Sequence, residues 1–367
     1  MMRGKNVRLG CASLPGIRIV HLSASDNEIP YPATSYDVAK AAGVAQSTVS
    51  RCFQDDSNIS PETRERVRRI AAELGYSRNA LARSLITRKS NMVGVVATRF
   101  TIRNNPELVY TLGDALRSEK RRMLLMVIES DATVGSIIDE ALEYPLDGLI
   151  CCSNMKETDI SRFRTRRVPI VFFNRDVKSA LTDSIATDHA EAGQRAADLL
   201  FEAGHRRIVC IKGPEKAQVS LVRASAFVAR LAELGVAHVP TVSTDFSYDQ
   251  GLTAFTDLVE NLPRPDAVFC ANDQLALGVM DACRYKLGWR IPEDISVVGF
   301  DDIAEAGRLS YQLTTIRQPI LEMALKAVEL LLSRATNTDV EERNIRMAGR
   351  LIVRTSARIQ DKECPSL

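Results

Sequence analysis

Hydrophobic positions fall into two textures along this chain. From Thr34 the apolar residues recur at helical spacing in short segments. Val38 and Ala42 sit four apart over Tyr36 to Ala42, and Gly43 follows, where a helix end wants a residue tolerant of left-handed backbone angles. Ser47 to Phe53 reads as a second short helix with Val49, Cys52 and Phe53 facing inward. Ser60-Pro61 opens a third, with Ser as cap and Pro in the first turn; its buried stripe is Val67, Ile70, Ala71 and Leu74 before Gly75 ends it. Three short helices with a tight Gly-containing turn between the first two describe a helix-turn-helix unit. Asn79 to Ile86 fits one more short helix, followed by the polar junction TRKSN.

After Asn91 the period changes. Short, nearly continuous apolar runs recur at 92–97, 123–128, 148–152, 169–173, 207–211, 267–271 and 296–300. Helical stretches separate most of them, as at Thr111–Lys120, Glu191–Glu202, Arg223–Leu234 and Gln274–Leu287. Apolar strands alternating with helices predict a parallel sheet covered on both faces. About eight such units exceed one open sheet, so two doubly wound lobes are expected, with ligands bound beyond the carboxyl ends of strands. The predicted fold class is therefore a small all-α helix-turn-helix headpiece plus an α/β core of two doubly wound parallel-sheet lobes. Residues 1–33, with Pro15, Pro30 and Pro32 and no sustained period, read as a flexible extension.

Composition narrows the partners. The 367 residues carry a formal net charge of +2, but residues 1–90 hold 14 Lys/Arg against 8 Asp/Glu, a net of +6, while the rest holds 34 against 38, a net of −4. A basic head on a slightly acidic body suits a polyanion. No apolar run reaches the roughly 18 residues of a membrane span, and Arg18 interrupts the only stretch resembling a signal peptide. The eight cysteines (Cys11, Cys52, Cys151, Cys152, Cys210, Cys270, Cys283, Cys364) form no C-x-x-C pair, and only four histidines are present. Neither a metal site nor a disulfide framework is expected; the usage fits a reducing cytoplasm. No nucleophile–base pair or phosphate loop is present, so an enzyme, a catalytic residue and a cofactor are not expected either. His21, His189, His205 and His238 read as surface or structural residues.

The stretch TSYDVAKAAGVAQSTVSRCFQ, residues 34–54, carries the most specific chemistry. Its second helix is too polar at Gln46, Ser47, Thr48, Ser50 and Arg51 to be fully buried. Gln can bond adenine in two places, and Arg can do the same with guanine. These residues resemble the headpiece of the LacI/GalR (lactose/galactose repressor) family, written DVA-x-x-AGVS-x-x-TVSR. The continuation SPETRERVRRIAAELGYSRNALARSL, residues 60–85, resembles the rest of that headpiece and its hinge. The resemblance implies that Gln46, Ser47 and Arg51 read bases and that Tyr36, Thr48, Ser50, Thr63 and Asn79 hold phosphates. It also implies that Leu85 wedges into the minor groove with Ala82 close by. Two positions depart from the pattern: Ala45 replaces the usual Ser after AGV, and Arg78 replaces the usual Pro before Asn79.

The resemblance extends over residues 34–358 through DGLI (147–150), PIVFFNR (169–175), GHRRI (204–208), CANDQLALGVMDA (270–282), IPEDISVVGFDD (291–302) and LTTIRQP (313–319). It implies a periplasmic-binding-protein-like core and this division: extension 1–33, headpiece 34–78, hinge 79–90, core 91–358 and tail 359–367. The N-lobe would take about 91–187 and 319–345, and the C-lobe about 188–318 and 346–358. Effector contacts are expected from Arg223, Asn272, Asp301 and Gln318, from Phe246 as a stacking aromatic, and from Asn174 and Asp188. Asp301 serves equally to cap the following turn, and Asp188 to cap the helix beginning at His189. Arg99 and Arg103 precede Asn105-Pro106 where relatives carry small or acidic residues, which admits an anionic effector.

The expected function is a cytoplasmic, nucleoid-associated transcriptional regulator, a repressor. It would bind a near-palindromic double-stranded DNA operator as a homodimer and hold a sugar, sugar acid or related metabolite in its cleft. The tail leaves no room for the heptads of a tetramer. The alternative is a soluble small-molecule sensor without specific DNA binding.

Overall fold

The computed structural model describes residues 32–53, 58–77, 89–177, 179, 182–336 and 341–359. The chain divides into two compact units, 1–80 and 81–367. In the first, α1 (Ser35–Ala42), α2 (Gln46–Cys52) and α3 (Pro61–Glu73) close around Val38, Ala39, Ala42, Val49, Cys52, Val67 and Ala71. Thr34 and Asp37 form a reciprocal capping box at the start of α1. Gly43 ends that helix at φ 65°, a left-handed angle that makes the turn into α2. Ser60 caps α3 through the Thr63 amide, with Pro61 in the first turn. Leu74, expected inside, is 43% exposed: it stands at the C-cap, where the chain leaves the helix face.

The second unit holds two six-stranded sheets. The first comprises β1 (Met92–Thr98), β2 (Arg122–Ile128), β3 (Gly148–Cys151), β4 (Ile170–Phe173), β5 (Thr182–Thr187) and β11 (Asn344–Met347). Its order is β11-β5-β4-β3-β1-β2, every pair parallel. The short α4 (Arg99–Asn104) follows β1, and then α5 (Pro106–Ser118) and α12 (Ile320–Thr336) cover one face. The other face is covered by α6 (Val134–Glu143) and α7 (Glu157–Thr165).

The second sheet comprises β6 (Ile208–Lys212), β7 (Thr241–Ser243), β8 (Ala267–Cys270), β9 (Ser296–Asp301), β10 (Thr314–Arg317) and β12 (Arg350–Ile352). It runs β12-β10-β9-β8-β6-β7, antiparallel only at β12. Its faces are covered by α8 (His189–Glu202) with α9 (Gln218–Glu233), and by α10 (Tyr248–Glu260) with α11 (Asp273–Asp281). Strands buried on both faces explain the unbroken apolar runs in the sequence.

The chain passes between the sheets three times, after Thr187, after Arg317 and after Met347. The last strand of the first sheet runs to Met347, past the 345 read from the sequence, because Arg346 and Met347 pair with Ala186 and Thr187. The sequence pattern also passes over β5. TDSIAT looks polar, yet all six residues are buried. Asp183 explains how: fully buried, it receives two hydrogen bonds from Arg334 on α12 and further ones from Arg343. A carboxylate so satisfied can stand inside a sheet. Six described cysteines are free and buried, and burial pushes the thiols of Cys151, Cys152, Cys210 and Cys283 up to about 12, so they pack as small hydrophobes.

Candidate functional site

Each of the two units carries a site of its own. In the helical unit, α2 presents Ser47 and Arg51 to solvent, while Gln46, Thr48 and Ser50 are half-buried. Val49 and Cys52 anchor the opposite side. Gln46 is tethered: its amide donates to Ser35 Oγ at 3.1 Å, which restrains a side chain of the base-reading type. Tyr36 is 72% exposed on α1. Thr63 sits in the first turn of α3, its hydroxyl accepting from Ser60 at 2.9 Å. Thus Tyr36, Gln46, Ser47, Thr48, Ser50, Arg51 and Thr63 are carried on α1, α2 and the start of α3. Asn79, Ala82 and Leu85 lie outside the described residues. Ala45 is the N-cap of α2 and supplies no side-chain hydrogen bond.

In the larger unit, a cleft of about 250 Å³ opens between the two sheets. Its lining comes from the carboxyl ends of strands and just beyond them: Thr98 at the end of β1 and Phe100 after it, Asp131 after β2, Asn154 after β3, Asn174 and Arg175 after β4. Phe246, Asn272, Asp301 and Gln318 complete it from the second sheet and the second crossover, with Arg223 from α9. Crevices in this position are where open α/β sheets take ligands. Phe100 and Phe246, one from each lobe, face each other with ring centroids 5.1 Å apart. Gly213 lets Phe246 lie against the backbone, since a Cβ there would stand 2.2 Å from its ring.

The polar floor is buried and tightly bonded. Arg223 is 3% exposed, its guanidinium 3.6 Å above the Phe300 ring, with Nη1 donating to the Ala271 carbonyl at 2.7 Å and lying 3.3 Å from Asp301. Burial draws the Arg223 pKa down and the Asp301 pKa up, each opposed by the attraction of the other. Gln318 Nε2 donates to Asp301 at 2.7 Å, and Asn174 Nδ2 donates to Gln318 Oε1 at 2.9 Å. Asn174, Phe246 and Asp301 hold positive φ angles of 54°, 72° and 115°. Three non-glycine residues in that region of backbone space at one cavity are strain of the kind concentrated at binding sites.

Of the effector residues expected from the sequence, Asn174, Arg223, Phe246, Asn272, Asp301 and Gln318 share this cleft. Arg99 does not: it begins α4 with its side chain 73% exposed and pairs with Glu129 at 2.7 Å. Asp188 caps α8 through the Glu191 amide and lines a smaller adjoining chamber of about 80 Å³ instead. Sequence reasoning missed Phe100, Asp131, Asn154 and Arg175. Their common signal was position, one to three residues past an apolar run. It also left His189 as a structural residue, whereas the imidazole lies in the chamber between Asn174 and Arg223. No group of His, Cys, Asp and Glu suited to a metal ion occurs among the described residues, and no described helix is long and apolar enough to cross a membrane.

Known proteins agree with this architecture. Residues 34–79 match the model of the bacterial regulatory proteins, lacI family, and residues 197–357 that of the periplasmic binding protein-like domain. The ribose operon repressor of Haemophilus influenzae is 32% identical over 332 residues, 88% of this chain and 98% of that protein. A solved structure of the lac repressor dimer bound to operator and the anti-inducer ONPF superposes with a TM-score of 0.81 at 26% identity, covering 89% of this chain and 99% of that one. A complex of the transcriptional regulator CelR with cellobiose gives a TM-score of 0.67 at 28% identity, covering 89% and 100%.

Proposed function

The chain belongs to the lacI family of bacterial regulatory proteins, and from that premise we propose how this ligand-responsive, DNA-binding repressor divides its work between the two sites. It is not an enzyme. It acts as a dimer on operator DNA, which puts it in the cytoplasm, at the nucleoid. Ser47 and Arg51 read base edges, with Gln46 held to the same task by Ser35. Tyr36, Thr48, Ser50 and Thr63 take phosphates. Asn79, Ala82 and Leu85 belong to the same interface by sequence.

The effector is a neutral, hydroxyl-rich small molecule of the sugar class. The charge balance of the cleft carries this reading: with Glu129 already paired to Arg99, Asp131, Asp245 and Asp301 still line it against Arg175 and Arg223. Excess carboxylates accept from hydroxyls and repel an anion. Phe100 and Phe246 line the cleft as an apolar wall suited to the C–H face of a sugar. The outward turn of Arg99 removes the main support for an anionic effector.

A thermal-shift panel of neutral pentoses, hexoses and disaccharides, sugar acids and purines tests this, since a ligand binding only the folded state raises its melting temperature. A shift confined to neutral sugars is expected; one confined to sugar acids or purines refutes the assignment. Selection from random duplex DNA should return a near-palindrome. Failure to enrich any sequence would favour a sensor without specific DNA binding.

A further inference from the structure

Five side chains around the cleft floor form a ring of four hydrogen bonds closed by one ion pair. Arg223 Nε donates to His189 Nδ1 at 3.2 Å, and His189 Nε2 lies 3.0 Å from Asn174 Oδ1. Asn174 Nδ2 then donates to Gln318 Oε1 at 2.9 Å, and Gln318 Nε2 to Asp301 Oδ1 at 2.7 Å. Asp301 closes the ring on Arg223 Nη1 at 3.3 Å. The ring joins Asn174, at the end of the first sheet, to His189, Arg223 and Asp301 of the second lobe, through Gln318 in a crossover.

Its direction is forced. A guanidinium only donates, so His189 Nδ1 must accept and carry no proton. The proton of the neutral imidazole is then on Nε2, which donates to Asn174 Oδ1. That fixes the Asn174 amide with its NH2 toward Gln318, and Gln318 with its NH2 toward Asp301. Thr187 agrees independently through its backbone N–H, which can only donate and reaches Asn174 Oδ1 at 3.4 Å; its hydroxyl follows by donating to Gln318 Oε1 at 2.8 Å.

The neutral state is equally constrained. His189 is 8% exposed and faces Arg223 from α9, Arg175 beyond β4 and Arg346 of β11, with Asp188 beside it and Asp176 in the same chamber paired to Arg346. Burial, then Arg223, Arg175 and Arg346, draw its pKa well below the ordinary histidine value. A second proton would abolish the acceptor for Arg223 and add a cation beside it.

We propose that His189 is a positioning residue of the effector site: as a neutral, Nε2-protonated imidazole it holds Arg223 in place and joins the Thr187 amide in fixing the edge of Asn174 that the cleft presents. The effect on ligand rests on the effector cleft assigned above. The ring geometry does not depend on it.

Imidazole-¹⁵N spectra of the full-length protein, with His189 identified by its loss in His189→Asn, read the tautomer directly. A neutral Nε2–H pattern persisting from pH 7.5 to pH 5.5 is expected, taking about one unit either side of the ordinary pKa near 6.5. An Nδ1–H tautomer, or a protonated ring at either pH, overturns the proposal. The Arg223 Nε–H signal, assigned through Arg223→Lys, should persist in His189→Asn, whose Oδ1 stands near the place of Nδ1. It should be lost in His189→Gln, whose longer side chain reaches only toward Asn174. Equal behaviour of the two variants overturns the proposal without any ligand.

D-ribose and cellobiose serve as binding probes by calorimetry. For whichever binds wild type, affinity should fall at least tenfold in His189→Gln and stay within about threefold in His189→Asn, the two folding alike by circular dichroism. Reversed or equal losses overturn the positioning role. If neither sugar nor any other neutral one binds wild type, the neutral-sugar effector fails, and the tautomer and the Arg223 signal decide His189 alone.

Discussion

In the headpiece, Tyr36, Ser47 and Arg51 point away from a core of seven small and medium side chains. In the effector core, Arg223, Asn174, Gln318 and His189 are themselves buried. The first arrangement turns its functional groups to the surface, where a large partner can meet them. The second has already spent theirs on one another, so a ligand must fit an existing pattern of donors and acceptors. Function and stability should therefore separate in the headpiece and be entangled in the core.

The largest expected effect tests the entangled side. Arg223→Ala strips a buried carboxylate of its partner, which typically costs about 3–5 kcal/mol. Urea unfolding should show that loss in the core transition, together with loss of the effector response. An unchanged core transition would break the comparison. On the headpiece side, Arg51→Ala should weaken operator binding by about 1–3 kcal/mol and relax one base position, with the melting temperature unmoved. Equal weakening on operator and random duplex DNA would make Arg51 a phosphate contact only.

Acid sharpens the same contrast. Burial alone would raise Asp266, but the His205 ring, 3.5 Å away, and the backbone N–H groups of Arg207 and Arg206 outweigh it and hold the carboxyl down at about 2. Its folded pKa lies below the unfolded value near 4. Its stabilisation, about 2 kcal/mol, is thus present above pH 4 and lost as pH falls toward 2. Asp37 in the headpiece is also lowered, by hydrogen bonds from Thr34, but in full solvent. Asp266→Asn should flatten the acid limb of the core transition and leave the headpiece's limb alone. The smallest effect is a gain: Ala45→Ser places a hydroxyl at an extended N-cap (φ −69°, ψ 149°) and should stabilise the headpiece by about 1 kcal/mol in thermal unfolding.

The two regions also differed in how much the sequence disclosed. The headpiece is contiguous, so helical spacing, Gly43 and the polar face of α2 could be read directly, and only Leu74 was turned the wrong way. The cleft is assembled from residues as far apart as Thr98 and Gln318, and spacing does not say which side chains converge. Motif positions supplied six lining residues, but Arg99 was lost to a surface partner and Asp188 to capping. Arg175 closes the motif PIVFFNR but was not taken as a contact, and Phe100, beside Arg99, carried no pattern of its own. Polar β5 was invisible to a hydrophobic scan because its burial depends on Arg334 and Arg343, about 150 residues later in the chain.

That last arrangement bears on how the molecule is made. Asp183 meets Arg334 and Arg343 across sequence separations of 151 and 160 residues, and β11 joins the first sheet only after β6 to β10 of the second sheet have been synthesised. During translation at about 5–20 residues per second, the first sheet waits on the order of ten seconds or more with a bare strand edge and an unpartnered carboxylate. The lobe begun first is thus closed only when all but one strand of the second has been made. In that interval the nascent chain depends on chaperone cover more than the completed protein does.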